Sequence, residues 1–232
     1  MLIFFTIQGM SVVIFELSGA AARFVPALVV WVLAAVGFVL LKVFKLSLSE
    51  TGFAKPQRGT LKRLWYLIPL IAVALSALVG GVDLSGGIFY ILACLLYVSA
   101  IAVSEELYFR GIICNVWKQS GYTKAVLVSS ALFGACHALQ AMANPDLVQT
   151  ILAICFAFFY GIAFAQIYLL TKSILPGIII HAFHDFCSFI SNDVSGEVNL
   201  AIGIVQTVII LAFIAAVHFR IKIQNTGALH DE

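Results

Sequence analysis

Seven ionisable residues that could take part in chemistry lie in or near three long apolar stretches of this sequence. They are Glu105, Glu106, Arg110, His137, His181, His184 and Asp185. Ionisable groups inside apolar helices are costly to bury, so they are candidates for function. Carboxylates and imidazoles suit acid–base chemistry, metal binding or proton transfer. The residue types alone do not separate these three kinds of chemistry.

The spacing of Glu105, Glu106 and Arg110 predicts which of these side chains pair with each other. Residues four apart share one face of a helix, so Glu106 and Arg110 form a natural ion pair. Glu105 is rotated from Glu106 by about 100° around the same helix and can point elsewhere. We therefore expect Glu106 to pair with Arg110 and Glu105 to remain available for chemistry.

The histidines show a comparable pattern. His181 and Asp185 are four residues apart and can share a face, His184 can flank them, and Phe133 lies one turn before His137. These groups converge with the Glu105 group in one half of a bundle if their three helices are neighbours.

Composition identifies the elements that must carry these residues. The 232-residue chain is 62% hydrophobic and 10% charged, whereas soluble domains have about 25% charged residues. Its mean hydropathy of +1.09 is that of a polytopic membrane protein. Among partners, this indicates the lipid bilayer and excludes a nucleic-acid-binding role.

Apolar stretches long enough to span a membrane predict an all-α fold, a bundle of about eight transmembrane helices. The predicted segments are 2–20, 24–44, 64–82, 87–106, 124–143, 149–170, 173–191 and 199–219. The first is the weakest, because Gln8 and Glu16 interrupt it.

The basic residues indicate how the chain is oriented. With eight spans, 12 of the 13 basic residues fall on one side and only Arg23 falls on the other. The positive-inside rule then places both termini in the cytoplasm of an integral membrane protein.

Three motifs in order resemble a known family. EExxxR, FxxxH and HxxxN/D occur at Glu105-Glu106-Arg110, Phe133-His137 and His181-Asp185. Together they resemble the CAAX protease and bacteriocin-processing (CPBP) family of glutamate-dependent intramembrane proteases. The resemblance covers about 85–191 and divides the chain into N-terminal helices with a basic loop (1–84), a catalytic core (85–191) and a last helix with its tail (192–232).

The resemblance implies a cavity open to the cytosol and hydrolysis of a peptide bond by an activated water, with no cofactor. By position, Glu105 would be the general base and His137 would hold the water. His181 and the residue at 185 would polarise the scissile carbonyl and stabilise its oxyanion. A carboxylate in a low-dielectric cavity is a stronger base near neutral pH, and an imidazole can donate to an oxyanion.

The remaining motif residues have supporting roles in this interpretation. Glu106 and Arg110 would shape and neutralise the site. The family often has Asn where this chain has Asp185, and an ionised carboxylate cannot donate a hydrogen bond. Asp185 would instead fix the tautomer of His181.

The motifs do not identify the substrate. A membrane-associated peptide or protein is implied, and prenylated tails, bacteriocin-like peptides and C-terminal sorting signals remain open. The small size of the chain favours a prokaryotic plasma membrane. The sequence does not indicate the oligomeric state.

Three other interpretations stay open. The two carboxylates and the histidines could bind zinc, although HExxH is absent. A non-catalytic bacteriocin-immunity protein could keep the same residues for structure, and a transporter could use them as a proton relay. A Cys136 nucleophile is disfavoured, because its side chain diverges from that of adjacent His137 by about 100° on a helix.

Overall fold

A computed structural model describes residues 10–57, 67–138 and 146–227 of the chain. Within these ranges the fold is all-α, as predicted. Its main helices are α1 (Ala21–Val43), α2 (Ile68–Ser76), α3 (Gly87–Glu106), α4 (Tyr122–His137), α5 (Leu147–Thr171), α6 (Leu175–Phe189) and α7 (Gly196–Gly227).

The predicted count of eight membrane spans is not confirmed. Seven of the predicted segments overlap α1 to α7, and residues 64–66 and 139–143 of two of these segments lie outside the described residues. The remaining predicted segment, 2–20, is the first in the chain and lies partly outside the described residues. Its described part is helical only up to Ile14, and Glu16 then adopts a positive φ of 47°. Among the described residues, four helices are long and apolar enough to cross a membrane: Ala21–Val43, Gly87–Ser120, Leu147–Thr171 and Gly196–Phe219. The helices α2, α4 and α6 are shorter.

The long helix Gly87–Ser120 changes its winding midway. After α3 it continues as a π-helix from Leu107 to Cys114, then as short turns to Ser120. Two hydrogen bonds to neighbouring helices support this wide stretch. Ser129 donates to the Phe109 carbonyl at 2.8 Å, and Tyr108 donates to the Leu33 carbonyl at 3.1 Å. Wide turns of this kind are frequent at functional sites.

Helix packing brings the sequence motifs together. Helix α3 packs between α1 and α6, α5 packs against both α4 and α7, and α2 packs against α6 and α7. Small residues let neighbouring helices approach one another closely. This is expected in a membrane, where burying an apolar side chain between helices gains little over leaving it in contact with lipid. A Cβ at Gly161 on α5 would lie 3.1 Å from the Cβ of Ser130 on α4.

One end of the bundle, which we call the basic end, carries Lys42, Lys45, Lys118, Lys124 and Lys172. The loop after α1 is bound there to the helices of the site. Ser173 donates to the Ala54 carbonyl at 2.6 Å, and Asn115 and Tyr168 both donate to the Glu50 carbonyl, at 3.1 and 3.2 Å. Hydrogen bonds from Ser47 also hold the pKa of the Glu50 carboxyl below its usual value.

The opposite, acidic end carries Asp83, Asp146, Asp193 and Glu197. Its two connections are hydrogen-bonded to each other. The Asp83 N–H donates to the Ile190 carbonyl at 2.6 Å, the Asn192 N–H donates to the Gly81 carbonyl at 3.1 Å, and the Asn192 amide donates to the Gly80 carbonyl at 3.1 Å. We call these paired segments, 80–83 and 190–192, the strap. Apart from Glu50 at the basic end and Arg23 at the acidic end, the two signs of charge lie at opposite ends of the bundle. The assignment of the basic end to the cytosol stays a prediction.

Candidate active site

The last turn of α3 and the π-helix after it place three charged side chains in the interior. Glu105 is 4% exposed, Glu106 1% and Arg110 0%. Burying such groups is costly unless they are paired and hydrogen-bonded. Their burial inside a helix bundle therefore requires partners from neighbouring helices.

Arg110 is held from several directions. Its Nη1 donates to Glu106 Oε1 at 2.9 Å, which is the ion pair that the spacing predicts. Its Nη2 donates to the Gly161 carbonyl on α5 at 3.1 Å. The guanidinium also lies over the rings of Phe133 and Phe164, at 4.5 and 5.4 Å from their centroids. We call Glu106, Arg110 and Gly161 the anchored side of the site.

His181 on α6 lies among three carboxylates. Its Nδ1 is 3.2 Å from Glu106 Oε1, and its Nε2 is 3.6 Å from Glu105 Oε2 and 3.7 Å from Asp185 Oδ2. The predicted sharing of one face by His181 and Asp185 is confirmed. The helices α3 and α6 also converge as predicted, since Glu106 and His181, which are 75 positions apart in the sequence, contact each other here.

The two adjacent glutamates have different surroundings. Oε1 of Glu106 is shared between Arg110 and His181, and its Oε2 faces the backbone of Gly177, where an added Cβ would lie only 3.1 Å away. Glu105 makes no contact with a side-chain nitrogen of the described residues shorter than 3.6 Å. Glu106 is therefore fully engaged, and Glu105 keeps lone pairs for another partner.

His137, the last residue of α4, completes the group. Its Nδ1 is 2.9 Å from the carbonyl oxygen of Phe133. Because a carbonyl can only accept, Nδ1 carries the proton, and the lone pair of the neutral ring is on Nε2. The Phe133 ring lies between the two motif histidines, with its centroid 4.9 Å from that of His137 and 6.0 Å from that of His181.

His184 lies beside Asp185 on the more accessible part of the site. Its Nδ1 is 3.5 Å from Asp185 Oδ1, and its ring packs against Phe156 and Tyr160. The side chains of Asp185 and His184 are 22% and 14% exposed. We call Glu105, Asp185 and His184 the open side of the site.

Sequence reasoning missed the residues that α5 contributes. Gly161 accepts from Arg110, Phe164 and Tyr160 pack around His181, and the Tyr160 hydroxyl is buried with no hydrogen-bond partner among the described residues. No charge or motif marks these positions in an apolar helix. Only the tyrosine hydroxyl in such a segment could have drawn attention to them.

The side-chain nitrogen and oxygen atoms of the site are bonded to one another. Glu106 Oε1 is bonded to Arg110 and His181 at once, and the described residues hold no group of three or more His, Cys, Asp or Glu arranged to bind a metal ion.

Together the fold and the site define a class: an all-helical integral membrane protein with a buried glutamate–histidine–arginine centre. Residues 87–187 match the family model described as Type II CAAX prenyl endopeptidase Rce1-like. The resemblance to the CPBP family is confirmed over this segment, and the matched family is one of proteases. No curated protein and no solved structure shows a significant match to the chain.

Proposed function

We propose that the protein is an intramembrane endopeptidase that uses Glu105 as its general base. One observation carries the proposal: of two adjacent buried glutamates, Glu106 is bonded to Arg110 and His181 at 2.9 and 3.2 Å, whereas Glu105 has only a 3.6 Å contact with His181. A base must have a free lone pair within reach of the proton that it removes. Glu105 meets that requirement.

In the proposed reaction Glu105 removes a proton from a water while the water oxygen bonds to the scissile carbonyl carbon. His137 Nε2 accepts a hydrogen bond from the same water. The carbonyl becomes an oxyanion, to which His181 Nε2–H donates. The proton on Glu105 then passes to the amide nitrogen, the C–N bond breaks, and a carboxylic acid and an amine are released.

Asp185 and the anchored side orient His181 in this scheme. Glu106 accepts from Nδ1–H at 3.2 Å, which turns Nε2 toward Glu105. Asp185, at 3.7 Å from Nε2, favours the protonated form of that nitrogen. It acts as a positioning residue rather than as an oxyanion donor, because a carboxylate has no proton to donate.

The mechanism requires no metal. Activity of the purified protein should therefore survive prolonged treatment with a strong chelator. Loss of activity that added zinc restores would instead assign the chemistry to a metal hydrolase.

The substrate proposed is a membrane-associated peptide or protein that is cut near its C-terminus: a prenylated tail, a bacteriocin-like peptide or a sorting signal. We place the site in the cytosolic half of a prokaryotic plasma membrane, with both termini in the cytoplasm.

The decisive experiment compares membrane proteomes of cells that carry the wild type, Glu105→Gln or Glu197→Gln. Glu197 is an exposed glutamate at the acidic end and serves as the matched control. We expect one or more uncleaved proteins to accumulate only with Glu105→Gln. Full biological activity of a folded Glu105→Gln protein would overturn the proposal.

A further inference from the structure

A polar group of the site, the Tyr160 hydroxyl on α5, takes no part in the proposed reaction. Tyr160 is 3% exposed, and its hydroxyl is buried with no hydrogen-bond partner among the described residues. A buried hydroxyl that donates to nothing costs stability, so folded proteins rarely keep one without a use for it. Tyr168 on the same helix shows the usual arrangement, because its hydroxyl donates to the Glu50 carbonyl at 3.2 Å.

The ring of Tyr160 is held in place by its neighbours. Its centroid lies 4.3 Å from that of Phe164 and 5.2 Å from that of His184. The backbone is held as well, because the carbonyl of the next residue, Gly161, accepts from Arg110 Nη2 at 3.1 Å. A ring that is packed on several sides has little freedom to turn its hydroxyl toward another partner. The direction of this hydroxyl is therefore set by the fold.

The hydroxyl belongs to the part of the site where the proposed reaction takes place. The Tyr160 ring meets the His181 ring edge-on, with centroids 6.4 Å apart. Asp185 is the charged group that acts most strongly on the Tyr160 hydroxyl, and its carboxylate lies 3.7 Å from His181 Nε2. Glu105 lies 3.6 Å from the same nitrogen. The Tyr160 hydroxyl and the nitrogen that donates to the oxyanion thus share Asp185 as a neighbour.

The proposed reaction leaves a place for a second donor. The oxyanion receives one hydrogen bond, from His181 Nε2–H, whereas oxyanion sites usually aim more than one donor at the atom where charge develops. Asp185 cannot supply the second bond, because a carboxylate has no proton to donate. A phenol keeps its proton at neutral pH and can donate it in a hydrogen bond.

We propose that the Tyr160 hydroxyl donates the second hydrogen bond to the oxyanion. The inference rests on the proposed protease function and assigns a catalytic residue to α5. No proton is transferred from Tyr160. Its hydroxyl binds the oxygen of the scissile carbonyl as that oxygen gains charge, and the bond weakens when the C–N bond breaks and the carbonyl forms again. Since the hydroxyl has no partner among the described residues, it breaks no bond with them to do this.

The test is Tyr160→Phe, which removes the hydroxyl and keeps the ring. The full chain is reconstituted in liposomes and given synthetic peptides of randomised sequence, with and without an S-farnesyl cysteine. Kinetics are then measured on the peptide that wild type cleaves fastest and Glu105→Gln does not cleave. We expect kcat to fall by about 10²- to 10³-fold, as for the loss of one oxyanion donor, with KM nearly unchanged. The unfolding temperature should stay the same or rise, because the hydroxyl satisfies no group among the described residues.

Tyr168→Phe is the matched control, since Tyr168 is a buried tyrosine of the same helix whose hydroxyl has a partner at the basic end. It should keep the wild-type kcat and lower the unfolding temperature, which is the reverse of the result expected for Tyr160→Phe. The two opposite results separate a hydroxyl that serves the reaction from one that serves the fold.

A wild-type kcat in Tyr160→Phe would overturn the role of Tyr160 while leaving the protease function standing. A loss of activity with a lower unfolding temperature would assign the hydroxyl to the fold. A higher KM at unchanged kcat would assign it to substrate binding before the reaction, and either result would overturn it as an oxyanion donor. If no peptide were cleaved in a Glu105-dependent manner, the inference would fall together with the proposed function.

Discussion

On the anchored side of the site, Glu106 and Arg110 meet at 2.9 Å and Arg110 reaches the Gly161 carbonyl at 3.1 Å, whereas on the open side Glu105 and Asp185 stay 3.6 and 3.7 Å from His181. The short contacts satisfy groups that no solvent reaches. The long contacts leave lone pairs unsatisfied beside a partly exposed carboxylate. Two adjacent glutamates therefore differ in their surroundings: Glu106 is held by short bonds, and Glu105 is left with the lone pairs that the proposed reaction needs.

The largest effect on activity should come from the open side. Glu105→Gln keeps the shape of the side chain but removes the base, so kcat should fall by about 10²- to 10⁴-fold. Peptide cleavage by the purified protein measures this loss, and thermal unfolding in detergent should be nearly unchanged.

Glu106→Gln is the matched variant of the anchored side. It weakens the bonds to Arg110 and His181, so it should lower the unfolding temperature as well as the activity. Losses of the same size in activity at both positions, with stability intact at both, would show that the division between the glutamates is wrong.

The largest effect on stability should come from Arg110→Gln. Removing one partner of a buried ion pair leaves an uncompensated charge and costs about 3–5 kcal/mol. Denaturant unfolding in mild detergent should report this loss, with Lys118→Gln, an exposed basic residue of the same long helix, as the control. A stability like that of the control would mean that Arg110 does not hold Glu106 in the folded protein.

A smaller effect should follow from adding a methyl group at Gly177, whose backbone faces the Glu106 carboxylate. The added methyl in Gly177→Ala would lie 3.1 Å from Glu106 Oε2 and must displace the carboxylate by a few tenths of an ångström. Since a displacement of about 1 Å in a catalytic group can cost 10²-fold, we expect kcat to fall roughly tenfold. Gly203→Ala, where an added Cβ meets nothing within 4 Å, is the control and should retain full activity.

The smallest effect on stability should come from removing a hydrogen bond that supports the π-helix. Ser129→Ala removes the donor to the Phe109 carbonyl and should cost about 1 kcal/mol. Ser99→Ala is the comparison, because the Ser99 hydroxyl only returns to the Leu95 carbonyl of its own helix. If the two variants were equally stable, the contact between α4 and the π-helix would contribute nothing.

The sequence predicts the pairing of the charged residues in this site better than it predicts their surroundings. Charged residues in apolar helices stand out, and a spacing of four is enough to pair Glu106 with Arg110 and to join His181 with Asp185. The contribution of α5 has no such signal, because a backbone carbonyl at Gly161 and the Phe164 ring look like any other apolar helix.

Helix lengths were also beyond prediction from hydropathy. In lipid, apolar residues surround a helix on all sides, so periodicity gives no indication that Leu107–Cys114 winds as a π-helix. Hydropathy likewise detects the segments that become α4 and α6, but not that these helices have only 16 and 15 residues. Those short helices carry His137 and His181.

The strap has a consequence for permeation. Its hydrogen bonds join the connections 80–83 and 190–192 at the acidic end of the bundle. A carrier would have to break these bonds in every cycle to expose its cargo at the acidic end, whereas a hydrolase needs a single entrance. For the proposed protease, a strap that stays bonded would send both cleavage fragments out by a route other than between these two segments.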